Sequence, residues 1–187
     1  MTKTALIIID IQNDYFEGGA MPLHNPQAAS HQAAKLIKHF RAQNKPVIHV
    51  QHLAASEALG FMLEGTKGQE IHPSVVPVAP EKVIIKHYPN SFAKTELESV
   101  LQALEVTEII VAGMMTHMCV SSTVRASLEY GLQATVVHDA CASCDLTILG
   151  QTIDADNVHV TALAEIANIA KISSCEEVLA HAFDNEA

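Results

Sequence analysis

Six short apolar runs punctuate the chain, mostly of β-branched residues: 5–9 (Ala5-Leu6-Ile7-Ile8-Ile9), 47–50, 82–85, 108–112, 134–137 and 170–172. Several show no alternation of apolar and polar positions, the pattern of strands covered on both faces. Between them the apolar spacing changes to three and four. Asn25-Pro26 reads as an N-cap and first helical residue ahead of Ala29, Ala33, Leu36, Ile37 and Phe40, which share one helical face. Thr95 and Glu98 read as a capping box ahead of Leu97, Val100, Leu101 and Leu104. Ser174 and Glu177 read as a second box, opening a short C-terminal helix, and 117–130 and 161–168 also carry helical spacing. Strands alternating with helices predict an α/β fold, a parallel sheet with helices on both faces. No repeat, low-complexity tract or linker interrupts the pattern, so 1–187 reads as a single domain. The irregular stretch 53–81, with Gly60, Gly65, Gly68, Pro73, Pro77 and Pro80, reads as a lid or binding loop.

Composition narrows the classes. With 49% apolar and 17% charged residues, the 187-residue chain can build a hydrophobic core. A net charge of −10 argues against nucleic-acid or anionic-membrane partners, both of which need a basic surface. The apolar run before Asp10 is too short for a signal peptide, and no later run approaches the length of a membrane span. The expected location is therefore the cytoplasm, where the four cysteines (119, 141, 144 and 175) are reduced thiols.

Open α/β sheets bind ligands beyond the carboxyl ends of their strands. Asp10 ends the first predicted strand, Lys86 ends the third, and Cys119 lies just beyond the fourth. Each has an ordinary reading: an Asp that caps a turn, a solvated Lys, a Cys that packs as a small hydrophobe. Together they suggest a thiol whose pKa is lowered by a helix start and an ammonium, with a carboxylate to carry its proton. Spacing alone does not bring the three together.

Asp10-Ile11-Gln12-Asn13-Asp14-Tyr15-Phe16, Lys86 with Ser91-Phe92 and Thr95-Glu96-Leu97, and Gly113-Met114-Met115-Thr116-His117-Met118-Cys119-Val120 resemble, in that order, the three motif segments of the isochorismatase-like cysteine hydrolases. The similarity spans roughly residues 4–140. The resemblance implies a three-layer α/β/α sandwich with a six-stranded parallel sheet and an Asp10–Lys86–Cys119 triad. Cys119 would be the nucleophile, Asp10 the proton shuttle, and Lys86 the cation favouring thiolate. It also implies a cis peptide between Met114 and Met115 that aims the backbone N–H groups of Met115 and Cys119 at an oxyanion. Retention of the cysteine favours acyl chemistry through a thioester, on a small amide, carbamoyl or ureido substrate. Vinyl ether hydrolysis of the isochorismatase type and nicotinamidase-like amide hydrolysis are the alternatives within the family. The metal motif of the nicotinamidase branch is not matched, because Val50-Gln51-His52-Leu53-Ala54 lacks its aspartate and following histidine. No metal or other cofactor is therefore expected, although His49, His52 and His72 are close enough in sequence to cluster. Gln12, Phe16, Phe61, Met62, Phe92 and His117 are candidates for the substrate pocket, core packing being the commoner role for any one of them. The partners expected are a small-molecule substrate and further copies of the chain, as a dimer or tetramer.

One rival constellation stands apart. Cys141-Ala142-Ser143-Cys144 is a CxxC after a strand, a pattern seen in thiol redox proteins, and His138 adds a third ligand type for zinc. A structural zinc site needs four ligands, and no proline follows Pro89 to sit opposite the dithiol as in thioredoxin. Cys175, inside the second capping box, reads as structural. A binding protein that has lost turnover is the remaining alternative.

Overall fold

A computed structural model of the chain describes residues 3–181. Six strands form one parallel sheet: β1 (Thr4–Ile9), β2 (Val47–His52), β3 (Lys82–Lys86), β4 (Glu108–Met114), β5 (Gln133–Ala142) and β8 (Lys171–Ser173), in the order β3-β2-β1-β4-β5-β8. The order reverses between β1 and β4, and it is at the carboxyl ends of the strands beside such a reversal that open α/β sheets bind ligands. Helix α1 (Pro26–Ala42) and the C-terminal α5 (Cys175–His181) cover one face. Helices α2 (Leu97–Ala103), α3 (Ser121–Ser127) and α4 (Ala155–Ile166) cover the other. This is a three-layer α/β/α sandwich. The unalternating strand β1 follows from it: Ala5, Ile7 and Ile9 enter one apolar core, Leu6 and Ile8 the other. No helix among the described residues is long and apolar enough to cross a membrane.

Several local expectations change. Asn25 precedes α1 with left-handed dihedrals and makes no side-chain cap; its amide donates to His24 Nε2 at 2.8 Å. The Thr95–Glu98 box does not close. The Thr95 hydroxyl accepts from Leu97 N (3.2 Å), while Glu98 accepts from Gln102 one turn on, and α2 begins one residue later than the box implies, at Leu97. The Ser174–Glu177 box does close, in both directions. Helix α4 starts at Ala155, earlier than its apolar spacing indicates, because Asp154 accepts from Asn157 N as an N-cap. The predicted helix 117–130 opens as a wide π-type turn (Thr116–Val120) before α3. An unanticipated hairpin, β6 (Leu146–Ile148) and β7 (Gln151–Ile153), turns through Leu149 and Gly150, both at positive φ.

The stretch 53–81 is tied down. It carries three short 3-10 turns and crosses the carboxyl end of the sheet. Asn13 N donates to Glu70 O (3.0 Å), His72 N to Ile11 O (2.9 Å), and Asp14 accepts from Ala20 N and Met62 N. A Cβ at Gly68 would fall within 2.3 Å of the Asp14 carboxyl group, so only glycine lets the loop approach this closely.

Candidate active site

The carboxyl ends of β1 and β3 and the turn after β4 bring Asp10, Lys86 and Cys119 together. Lys86 Nζ lies 2.6 Å from Asp10 Oδ2 and 3.2 Å from Cys119 Sγ. Asp10 and Lys86 are completely buried, and Cys119 is 5% exposed. A third group completes the lysine's surroundings: His52 Nδ1 lies 3.0 Å from Nζ. An ammonium has three protons and no acceptor, so His52 accepts through Nδ1 and carries its own proton on Nε2. Burial, with Lys86 and His87 adding to it, pulls the imidazole down to a pKa of about 4 and keeps it neutral. The three donors of Lys86 thus meet three acceptors.

His52 was weighed from sequence only as a metal candidate. Its actual place follows from register, since His52 and Lys86 are direct partners on β2 and β3 and share a sheet face. Gln12 fixes it there. The Gln12 amide accepts from His52 N (2.7 Å), donates to His52 O (2.8 Å), and donates also to Gln69 O (2.7 Å). Gln12 is wholly buried and clamps β2 to the covering loop.

The turn that carries Cys119 is anchored on both sides. Gly113 pairs with Ile9, and a Cβ there would stand 2.0 Å from the Ile9 carbonyl oxygen. The Met114–Met115 peptide is cis. Thr116 donates to Ala142 O (3.1 Å), and its oxygen lies 2.8 Å from His159 Nδ1 on α4. A hydroxyl has one proton, so His159 must be the donor in that second bond. His117 Nδ1 lies 2.6 Å from Ser143 Oγ, which ties the other side of the turn to the end of β5.

The electrostatics depart from the expected activated thiolate. Burial raises the Cys119 thiol, the Asp10 carboxylate raises it further, and Lys86 offsets only part of this. Burial likewise raises Asp10 above the usual carboxylate range despite the ammonium beside it. For Lys86, burial acts downward but is outweighed by Asp10 and Cys119, so its pKa rises. The resting site is a protonated thiol next to a carboxyl group of raised basicity. Desolvation, which spacing does not reveal, reverses the expected shift.

The other pocket candidates scatter. Phe61 stacks on His52 (centroids 6.3 Å, 11°) and so borders the site. Phe16 stacks instead on His72 (3.6 Å), and Phe92 on Tyr130 (4.6 Å), both phenylalanines within the core. Met62 is fully buried. Tyr15, one residue from the chosen Phe16, belongs nearer the chemistry. Its hydroxyl pKa is raised by burial, then by the charges of Cys119 and Asp10. A cavity of about 660 Å³ lies at the opposite, amino end of β2 and β3, and none of the triad lines it.

The histidine cluster does not form: His49 pairs with Glu81 (3.1 Å), His72 with Phe16, and His52 with Lys86. Among the described residues, no group of three or more His, Cys, Asp or Glu side chains is placed to hold a metal. The CxxC lies in and just after β5, without the helix start a redox thiol would use. Burial pushes Cys141 up to about 12, and Cys144 approaches Met115 Sδ at 3.7 Å. Cys175 is buried against α1, its thiol donating to Gln32 O (3.6 Å).

Comparison with known proteins finds the isochorismatase domain over residues 4–177. The uncharacterized isochorismatase family protein YddQ of Bacillus subtilis is 47% identical over 166 residues, 89% of this chain and 92% of that one. Streptothricin hydrolase of Streptomyces noursei is 33% identical over 144 residues, 76% of this chain but only 50% of its own length. The crystal structure of an isochorismatase from Pseudomonas putida superposes with a TM-score of 0.87 at 34% identity, covering 93% of this chain and 89% of that one.

Proposed function

The chain belongs to the isochorismatase family and is a hydrolase, and from that premise we propose that it cleaves a small amide, carbamoyl or ureido substrate through a Cys119 thioester. The observation that carries this reading is the buried contact of Lys86 with both Asp10 and Cys119 at the point where the strand order reverses. A thiol beside a carboxyl group and an ammonium suits acyl transfer. The kinship with a named streptothricin hydrolase supports hydrolysis.

Cys119 Sγ attacks the substrate carbonyl while its proton passes to Asp10. The carbonyl oxygen gains the negative charge, and the backbone N–H groups of Met115 and Cys119 receive it. Asp10 then returns the proton to the departing nitrogen as the C–N bond breaks, leaving an acyl-thioester and a free amine or ammonia. Water attacks the thioester with Asp10 as base, releasing the acid and restoring the thiol. Lys86 holds the Asp10 carboxylate in place and balances its charge.

The test uses p-nitrophenyl acetate together with a panel of simple amides and ureides, with the quenched enzyme analysed by mass. The expected result is an acyl adduct on Cys119 and loss of turnover in Cys119→Ala with the fold intact. Turnover without an adduct, or a loss below roughly tenfold in Cys119→Ala, would refute the nucleophile.

A further inference from the structure

We propose that the cavity at the amino ends of β2 and β3 is a second binding site, for a small amphipathic carboxylate with an apolar body and one anionic head. The cavity holds about 660 Å³, within the usual range of small-molecule pockets, and lies at the opposite end of the sheet from the triad. Its apolar wall comes from three parts of the chain: Val47 and Ile48 on β2, Val78 in the loop ahead of β3, and Val100 and Leu104 on α2 and its C-cap. Val78 is 48% exposed and Leu104 39%, so both leave apolar surface for a ligand to cover.

Charge identifies the head group. Arg41, Lys45 and Lys82 line the cavity with a single carboxylate, Glu81, a local excess of positive charge in a chain whose net charge is −10. That carboxylate is already saturated. The Glu81 side chain, 9% exposed, accepts from Arg41 Nε (2.6 Å) and Nη2 (2.8 Å), Val78 N (2.9 Å) and His49 Nε2 (3.1 Å). Burial acts to raise its pKa, but the bonds from Arg41, Val78 and His49 outweigh it and hold the value at about 2. Arg41 is thereby neutralised. Lys45 and Lys82 are exposed, and neither has an acidic partner among the described residues; Lys45 Nζ lies over the Phe40 ring, 5.9 Å from its centroid. The carbonyls that end α1 do not claim these ammonium groups, because the backbone N–H groups of Gln43, Asn44 and Lys45 cap His39, Phe40 and Arg41. Two unpaired ammonium groups beside an apolar wall attract an anion and repel a cation. A compact anion such as phosphate would leave Val78 and Leu104 wet, so the ligand carries an apolar body as well.

Octanoate is the probe, titrated into the wild-type chain and followed by methyl-detected NMR. Saturable binding should shift the methyl signals of Val78, Val100 and Leu104 and leave those of Ile9, beside Asp10, in place. Each CH₂ added between hexanoate and octanoate should tighten binding by up to about fourfold. Octylammonium should bind at least about tenfold more weakly than octanoate, and so should octanoate to the double variant Lys45→Glu, Lys82→Glu. Lys171→Glu, an equally exposed site on β8 at the far edge of the sheet, should bind octanoate like wild type. The chain-length and octylammonium comparisons need no variant. No saturable shift, shifts at Ile9 in place of the cavity, binding independent of chain length, equal binding of octylammonium, or unchanged binding by the double variant each overturns the proposal.

Discussion

Replacing Lys86 by Met keeps the length of the side chain and removes its charge, so it tests how the buried site is held. The Asp10–Lys86 separation is 2.6 Å, and at an effective dielectric of about 20 the attraction lost is about 6 kcal/mol. Part of this is recovered, because an ammonium no longer has to be stripped of water. Removing one partner of a buried pair costs about 3–5 kcal/mol net, and that is the expected loss of unfolding free energy. The penalty must depend on pH. Asp10, raised by burial even with Lys86 present, is raised further once the ammonium is gone. A carboxyl group with folded pKa above its unfolded value of about 3.9 binds more protons when folded. Its stabilising contribution is complete below the unfolded value and is lost as pH rises through the folded one. Lys86→Met should therefore lie closest to wild type in acid and furthest from it above neutrality. Asp10→Asn, Lys86→Met, which leaves no buried charge, should regain most of the loss. Urea unfolding of the four proteins at acidic and alkaline pH closes the cycle. A loss in Lys86→Met below about 1 kcal/mol, the same at both pH values, would refute the buried ion pair.

Three further outcomes follow from the same geometry. Because burial and then Asp10 raise the Cys119 thiol, iodoacetamide should modify Cys119 slowly at neutral pH, with a rate that still climbs well above the free-thiol pKa of about 8.5; a plateau at or below that value refutes the raised thiol. Asp10→Asn should speed alkylation at fixed pH while hydrolysis falls by about 10²–10⁴-fold, and a parallel fall in both would reduce Asp10 to a structural role. Gly113→Ala places a methyl group against the Ile9 carbonyl at 2.0 Å and should lower stability by about 1–3 kcal/mol or more in urea titration; an unchanged midpoint contradicts that packing. His159→Ala removes the donor to Thr116, a bond worth about 0.5–1.5 kcal/mol, so esterase turnover should drop by up to about tenfold. His159→Asn, whose amide nitrogen can take the place of Nδ1, should restore turnover, and no rescue would assign His159 to packing alone.

The sheet was legible because a buried parallel strand has to feed two cores, which leaves an unbroken apolar run such as Ala5–Ile9. Asp10, Lys86 and Cys119 stand out in the sequence because they close or follow such runs, but only the family resemblance implies that they meet. What register and burial decide was not legible. His52 becomes the third acceptor of Lys86 only through the pairing of β2 with β3, and a histidine three residues after His49 reads more readily as part of a cluster. The influence of Cys119 and Asp10 on Tyr15 was not legible either, because burial in the short turn Asn13–Tyr15 is a tertiary property. The hairpin carries no sequence signal, because its tip is Leu149-Gly150, without the Asn-Gly or Asp-Gly that marks such turns.

The reversed thiol shift follows from charge balance in a dry site. Asp10 and Lys86 together are neutral, and their pairing occupies the ammonium. A thiolate added to them would leave one uncompensated negative charge where burial already penalises ions. Lys86 therefore cannot hold both Asp10 and a resting thiolate at full strength. A protonated thiol at rest is consistent with catalysis if deprotonation and attack occur together. In that case the negative charge does not stay on sulfur but passes to the substrate oxygen, where backbone N–H groups meet it. A carboxyl group of raised pKa is the better acceptor for that proton, since its basicity is closer to that of the group it must deprotonate. In the proposed mechanism burial, which holds Cys119 as a thiol, also makes Asp10 the better base. It links thiol activation to the arrival of an acyl group able to carry the charge away.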